Sequence, residues 1–336
     1  MVRVSRSKFY LLAGFATACY LAFWLHHQHV YAISHYTDRQ QAAPSAITKA
    51  LLESRQDDAS GLVTKYAVVS ACQITSEPHK YMFTEDVVEA SLANKQRYCD
   101  LHPDVTCYLT DQVVDTCVNA VWEKEFSFLR YMRRHEWLLW LDCDAVFSNE
   151  TFSMDELTNR VESDKQVIVI WGHDFFNLGV MLVRSSDWSE WLMQKMLERR
   201  DWIEWMVGKW RDQKSFRMLL NEYPNIVEKV FVVDAPTLQA YPRWWVPGTF
   251  VYHQVGCKSG RSWGSSIGAG TTCKDQFIQV AAGHMPNISL TSLAEQAEDR
   301  GVSVRRGAPS SSKAARENIA GLVTPASSVL AWSGGG

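Results

Sequence analysis

Two carboxylates follow a run of apolar residues near the middle of the chain. Asp142 and Asp144 come directly after Trp137 to Leu141, a WLLWL segment typical of a buried strand. At such a strand end the two acids would repel each other and lose hydration, a cost that a shared hard cation such as Mn²⁺ or Mg²⁺ relieves. A cation held there can neutralise a diphosphate leaving group. Because Asp-x-Asp triplets often arise by chance as solvated turns, the position after a buried strand is what favours a metal site.

Strands and helices alternate on both sides of this pair. The predicted strands are Lys65 to Ala71, Val105 to Leu109, Trp137 to Leu141, Gln166 to Trp171 and Val180 to Val183. The predicted helices are Asp86 to His102, Trp122 to Arg134 and Asp187 to Met206, with a further helix opened by capping-box spacing at Ser153 to Glu156. This alternation predicts an α/β fold with a mostly parallel sheet, in which ligands bind at the carboxyl ends of the strands.

A charge-free stretch near the N-terminus predicts a membrane segment. Phe9 to Leu25 has no charged residue, three cations precede it within residues 1–8, and no Lys or Arg follows until Arg39. As a helix this stretch reaches about 25 Å, enough for a thin internal membrane, and its basic flank should stay cytosolic. We therefore expect an uncleaved signal anchor with the rest of the chain in the lumen. A signal peptide cleaved near Val30 to Ala32 is the alternative.

The remainder of the chain divides into three parts. We expect a polar stem over residues 26–64, a folded domain over 65–299 and a disordered tail rich in Gly, Ser and Ala over 300–336. In all, 336 residues carry 34 Lys plus Arg against 37 Asp plus Glu, and the net charge of −3 disfavours nucleic-acid binding. A hydrophobic content of 46% with fourteen Trp is typical of a globular protein.

Cysteine usage agrees with an oxidising compartment. One of the eight cysteines, Cys19, lies in the apolar stretch, which leaves seven for the rest of the chain. If Cys143 is the unpaired one, the other six allow 15 connectivities, and the sequence does not choose among them. The chain has no C-x-x-C motif, which argues against a zinc ribbon. Asn149 and Asn287 begin N-glycosylation triplets, which matter only in a lumenal protein.

Four segments carry a resemblance to a known family. In chain order they read EWLLWLDCDAVF, FFNLGVMLVRSSDWSEWLM, WRDQKSF and FVYHQVGCK. This series resembles that of glycosyltransferase family 34, which includes fungal α-galactosyl- and α-mannosyltransferases and plant xyloglucan xylosyltransferases. The resemblance covers about Tyr66 to Lys258. It implies a type II Golgi membrane protein with a GT-A, Rossmann-like domain that uses a nucleotide sugar and Mn²⁺ and retains the anomeric configuration.

The resemblance implies a metal and diphosphate site. Asp142 and Asp144 match the family's metal-binding aspartates, and His253 matches the histidine that completes the metal site. A neutral imidazole suits Mn²⁺, and Gly256 would let the backbone approach phosphate. Lys258 matches a diphosphate-binding lysine that neutralises leaving-group charge.

The same resemblance implies contacts to the sugars. Asp212 and Gln213 match the family's Asp-Gln pair near donor sugar and acceptor, and are expected to be the catalytic residues. Without the resemblance, this pair would be interpreted as a solvated helix start. Asn177 and Gly179 match an Asn-Thr-Gly substrate motif in which Leu178 replaces the usual Thr. That departure predicts an altered acceptor or sugar contact.

Basic and aromatic residues near these motifs receive more ordinary interpretations. Lys124 could bind phosphate, but a solvated helix face is the favoured interpretation. Trp244 and Trp245 fall between Pro242 and Pro247 in a predicted loop, and could either stack on an acceptor sugar or pack against the protein.

The combined expectation is a Golgi or late-ER enzyme that moves a hexose or pentose from a nucleotide diphosphate to a glycan hydroxyl, with retention. Its partners would be a nucleotide-sugar donor, a glycan acceptor and the membrane. Two alternatives stay open. One is a non-catalytic lumenal glycan-binding protein derived from such an enzyme, and the other is a metal-dependent phosphoesterase that uses the same carboxylates.

Overall fold

The computed structural model describes residues 63–74, 83–111, 120–172, 175–206, 211–257 and 272–285. The predicted membrane segment Phe9 to Leu25, the stem up to residue 62 and the tail from residue 300 lie outside these ranges, as do Cys117, Lys258 and Asn287. Within the described ranges, no helix is both long and apolar enough to cross a membrane.

The described residues form nine strands and eight α-helices. The strands are β1 (Tyr66–Ala71), β2 (Val105–Thr110), β3 (Trp137–Leu141), β4 (Ala145–Phe147), β5 (Val167–Trp171), β6 (Phe176–Arg184), β7 (Val230–Val233), β8 (Gln239–Ala240) and β9 (Val251–His253). The helices are α1 (Glu85–Leu101), α2 (Glu123–Tyr131), α3 (Asp155–Thr158), α4 (Asp187–Glu198), α5 (Arg200–Met206), α6 (Arg211–Glu222), α7 (Ala235–Leu238) and α8 (Cys273–Ala281). Every strand predicted from the sequence is present, and β6 extends the predicted one at both ends.

The predicted α/β fold with a central sheet is confirmed. Six strands form this sheet in the order β2-β1-β3-β6-β5-β7, and β4, β9 and β8 form a separate three-stranded sheet. β1 is parallel to β2 and β3, and β5 is parallel to β7, whereas β6 is antiparallel to β3 and β5. The short connection over residues 172–175 explains this reversal, because a parallel crossover needs a dozen or more residues.

The helix predicted over Trp122 to Arg134 ends at Tyr131 as α2, and two other predicted helices also differ from the sequence pattern. The helix opened at Ser153 makes a single turn as α3, with Ser153 Oγ accepting from the Asp155 N–H at 3.2 Å. The predicted long helix over Asp187 to Met206 is divided at Arg199 into α4 and α5. The buried Arg199 guanidinium donates to Lys195 O at 2.6 Å and pairs with Glu222, so the junction between α4 and α5 is bonded to α6.

The chain passes from one sheet to the other through Asp142 to Asp144. β3 is fully buried in the six-stranded sheet, and β4 begins directly afterwards in the three-stranded sheet. β4 pairs antiparallel with β9, and the register sets Ala145 opposite His253. The topology thus brings an imidazole that is distant in sequence next to the aspartate pair.

Three disulfides join the described cysteines: Cys72–Cys143, Cys99–Cys107 and Cys257–Cys273. The premise that Cys143 is unpaired was wrong. The reason is strand register, because β1 and β3 are parallel with Tyr66 opposite Trp137, and the same offset sets Cys72 opposite Cys143. Their Cα atoms are 5.1 Å apart, within the range that a disulfide spans.

Candidate functional site

Asp142, Asp144 and His253 form a cluster that could hold a metal ion. Each offers one ligand atom, and these atoms lie within 4.8 Å of one another. His253 Nε2 is 3.2 Å from Asp144 Oδ1, while His253 Nδ1–H donates to Gln239 Oε1 at 2.6 Å. That hydrogen bond fixes the ring so that the Nε2 lone pair faces the carboxylates, as a metal-binding histidine requires.

The donor set and the space around it fit a hard divalent cation. Two carboxylate oxygens and one imidazole nitrogen suit Mn²⁺. Gly179 on β6 leaves the space open, since a Cβ there would lie 2.7 Å from Asp142 Oδ2 and in still closer conflict with His253 Cε1. His253 is buried and Asp142 is 39% exposed, so the cluster has a closed side and a side open to solvent.

Lys95 of α1 contacts the backbone of this cluster at Asp142, and the sequence analysis did not identify it as a site residue. Its ammonium is fully buried and donates to Ser70 Oγ at 2.8 Å, Ser91 Oγ at 2.9 Å and the carbonyl of Asp142 at 3.0 Å. Burial lowers the pKa of Lys95 to about 7, against the opposing effect of the Asp142 and Asp144 carboxylates. Its place in the middle of α1 gives no local indication of a site role, because only the packing of α1 against β1, β2 and β4 brings it to the aspartates.

A buried ion pair links the cluster to α6. Lys124 Nζ lies 2.6 Å from Asp212 Oδ2 and 3.8 Å from Asp142 Oδ1, and both Lys124 and Asp212 are almost fully buried. Burial lowers the pKa of Lys124, but the Asp212 and Asp142 carboxylates outweigh this and raise it above its ordinary value. The expectation of a solvated Lys124 was wrong, and so was the alternative of a solvated helix start at Asp212. Gln213 follows on the same helix turn and is partly exposed.

The Lys124–Asp212 pair gives a stability prediction. Asp212→Ala leaves the Lys124 ammonium buried, with the Asp142 carboxylate 3.8 Å away as its remaining ion-pair partner among the described residues. We expect this change to cost about 3–5 kcal/mol of unfolding free energy. Lys124→Met combined with Asp212→Leu removes both charges and should recover most of that loss. Urea unfolding followed by tryptophan fluorescence measures both. Glu198→Ala, which breaks a more exposed pair with Lys195, is the control and should cost at most about 1 kcal/mol.

Glu125 is a buried carboxyl next to this pair. It is fully buried, and neither of its carboxylate oxygens has a hydrogen-bond partner in the part of the chain that the structure describes. Burial raises the pKa of Glu125 well above its ordinary value, against the opposing charge of Lys124. Glu125 is therefore held as a neutral acid over a wider pH range than an exposed glutamate.

This raised pKa predicts a pH dependence of stability. Above the ordinary carboxyl range the unfolded chain loses the Glu125 proton while the folded chain keeps it, so stability falls as pH rises through the folded-state pKa. Glu125→Gln cannot ionise, and we expect its unfolding free energy to fall less than that of the native protein between about pH 5 and about pH 8. Urea unfolding at both pH values tests this. The exposed Glu156→Gln is the control, and an identical pH response in the two variants would contradict the assignment.

The predicted substrate motif on β6 has a mainly internal set of contacts. Asn177 Nδ2 donates to the Tyr241 hydroxyl at 2.8 Å, and Asn177 Oδ1 accepts from the Gly179 N–H at 2.9 Å. Because strand residues alternate between faces, Leu178 points away from Asn177 and Gly179, and it is fully buried. The burial of the Leu178 side chain indicates packing on the face opposite Asn177 and Gly179.

The remaining predicted positions border the same region. Gly256 follows β9 with a φ of 72°, a left-handed conformation that favours glycine. Lys258 lies outside the described residues. Trp245 is buried and donates to Ser148 Oγ at 3.0 Å, which favours packing, whereas the partly exposed Trp244 stacks on Tyr241 with ring centroids 4.8 Å apart.

The fold and the site together define a class of candidate metal-binding domains. In this class, an α/β domain brings two aspartates and a histidine close together at the carboxyl end of a central strand. Within that class, the profile of the galactosyl transferase GMA12/MNN10 family matches residues 65–158 and 155–263, more than half of the chain. The chain belongs to this family, and the predicted membership of glycosyltransferase family 34 is confirmed.

Curated relatives match a shorter stretch. A protein called "Probable glycosyltransferase 6" from Oryza sativa subspecies indica is 29% identical over 109 residues, and its counterpart in subspecies japonica matches equally. The match covers 29% of this chain and 22% of each relative, so the chain spans less than a quarter of the length of these relatives.

Solved structures resemble the chain at low identity. A glycosyltransferase involved in the glycosylation of the major capsid of PBCV-1 is 17% identical with a TM-score of 0.46, covering 58% of this chain and 94% of that one. The glycosyltransferase GlyE of Streptococcus pneumoniae is 12% identical with a TM-score of 0.41, covering 71% and 64%. The galactosyltransferase LgtC, solved with donor and acceptor sugar analogs, is 12% identical with a TM-score of 0.40, covering 70% and 99%.

Proposed function

We propose that this protein is a metal-dependent, retaining glycosyltransferase with a GT-A catalytic domain. It moves a hexose or pentose from a nucleotide-diphosphate sugar to a hydroxyl of a glycan. The observation that carries the proposal is the convergence of Asp142, Asp144 and His253 around a space that Gly179 leaves open. Family membership supports the reaction class, because the family is one of sugar transferases.

In this proposal, each site residue has its own role. Asp142, Asp144 and His253 hold the cation, with Mn²⁺ as the favoured ion and Mg²⁺ as the alternative. When bound, the cation supplies Lewis-acid neutralisation of the diphosphate leaving group. Gln239 holds the His253 ring in the required tautomer through its 2.6 Å hydrogen bond. Lys258, by its match to the family motif, adds positive charge on the diphosphate side.

In this proposal Asp212 has the sugar-binding role, by its match to the family's Asp-Gln pair. The Lys124 ammonium fixes one of its carboxylate oxygens at 2.6 Å and joins it to Asp142, so the charge of Asp212 is held close to the metal cluster. A carboxylate in this position stabilises positive charge that develops on the donor sugar as the diphosphate departs. The acceptor hydroxyl attacks the anomeric carbon on the face from which the diphosphate leaves, the bond between that carbon and the diphosphate oxygen breaks, and the departing diphosphate takes the hydroxyl proton. Gln213 beside Asp212 orients the sugar or the acceptor.

A panel of nucleotide sugars tests this function. The full chain is incubated with each donor and a mixture of glycan acceptors, with Mn²⁺, with Mg²⁺ or with a chelator. We expect release of intact nucleoside diphosphate and a new glycoside, dependent on the cation. Glycan binding without any donor hydrolysis or transfer would favour the glycan-binding alternative, and release of inorganic phosphate would favour the phosphoesterase.

The proposed location is the Golgi membrane, with the domain in the lumen. The basic flank and the apolar stretch from Phe9 to Leu25 support it, and three disulfides are typical of an oxidising compartment.

In sealed microsomes we expect the domain to resist added protease until detergent is present. The Asn149 triplet should then carry a glycan removable by endoglycosidase, and Thr151→Ala should abolish it as the matched control. Digestion of the domain without detergent would contradict this topology.

A further inference from the structure

The residue between the two aspartates is covalently tied to the neighbouring strand. Cys143 is bonded to Cys72, the residue that follows β1, and the two lie opposite each other in the β1–β3 register. The Cys72 N–H donates to Thr110 O at 2.8 Å, which continues the β1–β2 ladder and anchors this end of the bond to the sheet. The disulfide therefore fixes the centre of the Asp142–Asp144 turn to the edge where the strands end.

The backbone of this turn is held from several directions. The carbonyl of Asp142 accepts from Lys95 Nζ at 3.0 Å, that of Cys143 from Ser91 Oγ at 2.7 Å, and that of Asp144 from the Gln254 N–H at 2.8 Å. These bonds orient the peptide groups. The side chain of Cys143, the residue between Asp142 and Asp144 in the sequence, is held by the bond to Cys72.

The disulfide is buried against apolar side chains of α1. Cys72 is fully buried and Cys143 is 7% exposed, and both pack against Val88 of α1, with Phe83 and Leu92 at the border of this cluster. Because the bond joins the residue after β1 to the centre of the turn and is buried in this packing, it couples the position of β1 to that of the turn. Loss of the bond would let the Cys143 side chain move, and with it the peptide groups that carry Asp142 and Asp144.

We propose that the Cys72–Cys143 disulfide is a positioning element of the metal site, which sets the separation of the Asp142 and Asp144 carboxylates for a divalent cation. This inference rests on the proposed metal role of the two aspartates. Without the bond, the cation must order the turn as well as bind to it, and its affinity falls. Groups that orient metal ligands without touching the metal commonly change metal affinity about 10–100-fold when removed.

The test compares two disulfides in the full chain. Cys72→Ala with Cys143→Ala removes the bond at the turn. Cys99→Ala with Cys107→Ala is the matched control, because it removes a bond between α1 and β2. Mn²⁺ alone is titrated into each protein, and the free ion is measured by its paramagnetic resonance signal. Circular dichroism and thermal unfolding establish that each variant is folded under these conditions.

We expect the Mn²⁺ dissociation constant of the turn variant to rise at least about tenfold, and that of the control to stay at the native value. If the two disulfides only stabilise the fold, their removal would lower the unfolding temperature of both variants without changing Mn²⁺ affinity in either. Should the alanine pair not fold, Cys72→Val with Cys143→Ser restores the apolar volume next to Val88 and is measured instead.

The outcomes separate the two proposals. Native Mn²⁺ affinity in the folded turn variant overturns the positioning role and leaves the proposed function intact. An equal loss of affinity in the control variant also overturns it, because the effect would then not be specific to the turn. Absence of Mn²⁺ binding by the native protein itself contradicts the proposed metal site, and the positioning role falls with it.

Discussion

Replacing Asp144 with Asn is expected to leave the domain folded and to lower sugar transfer at least about 10²-fold, the scale of losing one preorganised electrostatic element. Asn keeps the size and most of the hydrogen bonding of Asp but removes a negative ligand, so the change isolates charge from shape. Asp144 Oδ1 lies 3.2 Å from His253 Nε2, and the loss of its charge should also weaken Mn²⁺-dependent binding of a nucleotide sugar. Transfer rates and calorimetric titration measure the two effects.

Two further variants complete this experiment. His253→Ala should resemble Asp144→Asn, because it removes another member of the same cluster. Asp164→Asn makes the same chemical change at a half-exposed carboxylate outside the cluster and should leave transfer unchanged. A folded Asp144→Asn protein with near-normal transfer in Mn²⁺ would remove the metal role of this aspartate.

The strand and turn that carry the aspartates could be predicted because their signals are local. Trp137 to Leu141 is an unbroken apolar run, and its bounds in the structure match the prediction at both ends. The two acids directly after it follow from chain order alone. His253 could be associated with them only through the family resemblance, since the contact depends on the antiparallel pairing of β4 with β9.

The Lys124–Asp212 pair and the Cys72–Cys143 bond could not be predicted, for different physical reasons. Lys124 belongs to a charged segment at the start of α2, and its partner is 88 residues away on another helix. The helical period of the sequence does not predict which charged side chain is buried when α2 and α6 pack together. The disulfide depends on the register between β1 and β3, and composition allows many pairings until that register is known.

The second large effect is expected for Gly179→Ala. Gly179 was predicted as a substrate contact, and in the structure it also faces the Asp142 and His253 ligand atoms. The added Cβ would lie 2.7 Å from Asp142 Oδ2 and 3.0 Å from His253 Nε2, closer than carbon atoms approach such groups without displacement. The Gly179 carbonyl also accepts from the Asp142 N–H at 2.7 Å, so β6 cannot move away without breaking that bond. The conflict must therefore displace the ligands themselves.

We expect the Gly179→Ala protein to fold with little change in its circular dichroism, to bind Mn²⁺ at least about tenfold more weakly and to lose transfer in proportion. Leu178→Met is the matched control on the same strand, since it keeps core volume on the opposite face and should cost less than about 1.5 kcal/mol of stability. Its Mn²⁺ affinity should equal that of the native protein. Native Mn²⁺ affinity in Gly179→Ala would mean that the Asp142, Asp144 and His253 atoms do not converge on a cation at this position. Equal losses of affinity in both variants would assign the effect to β6 as a whole.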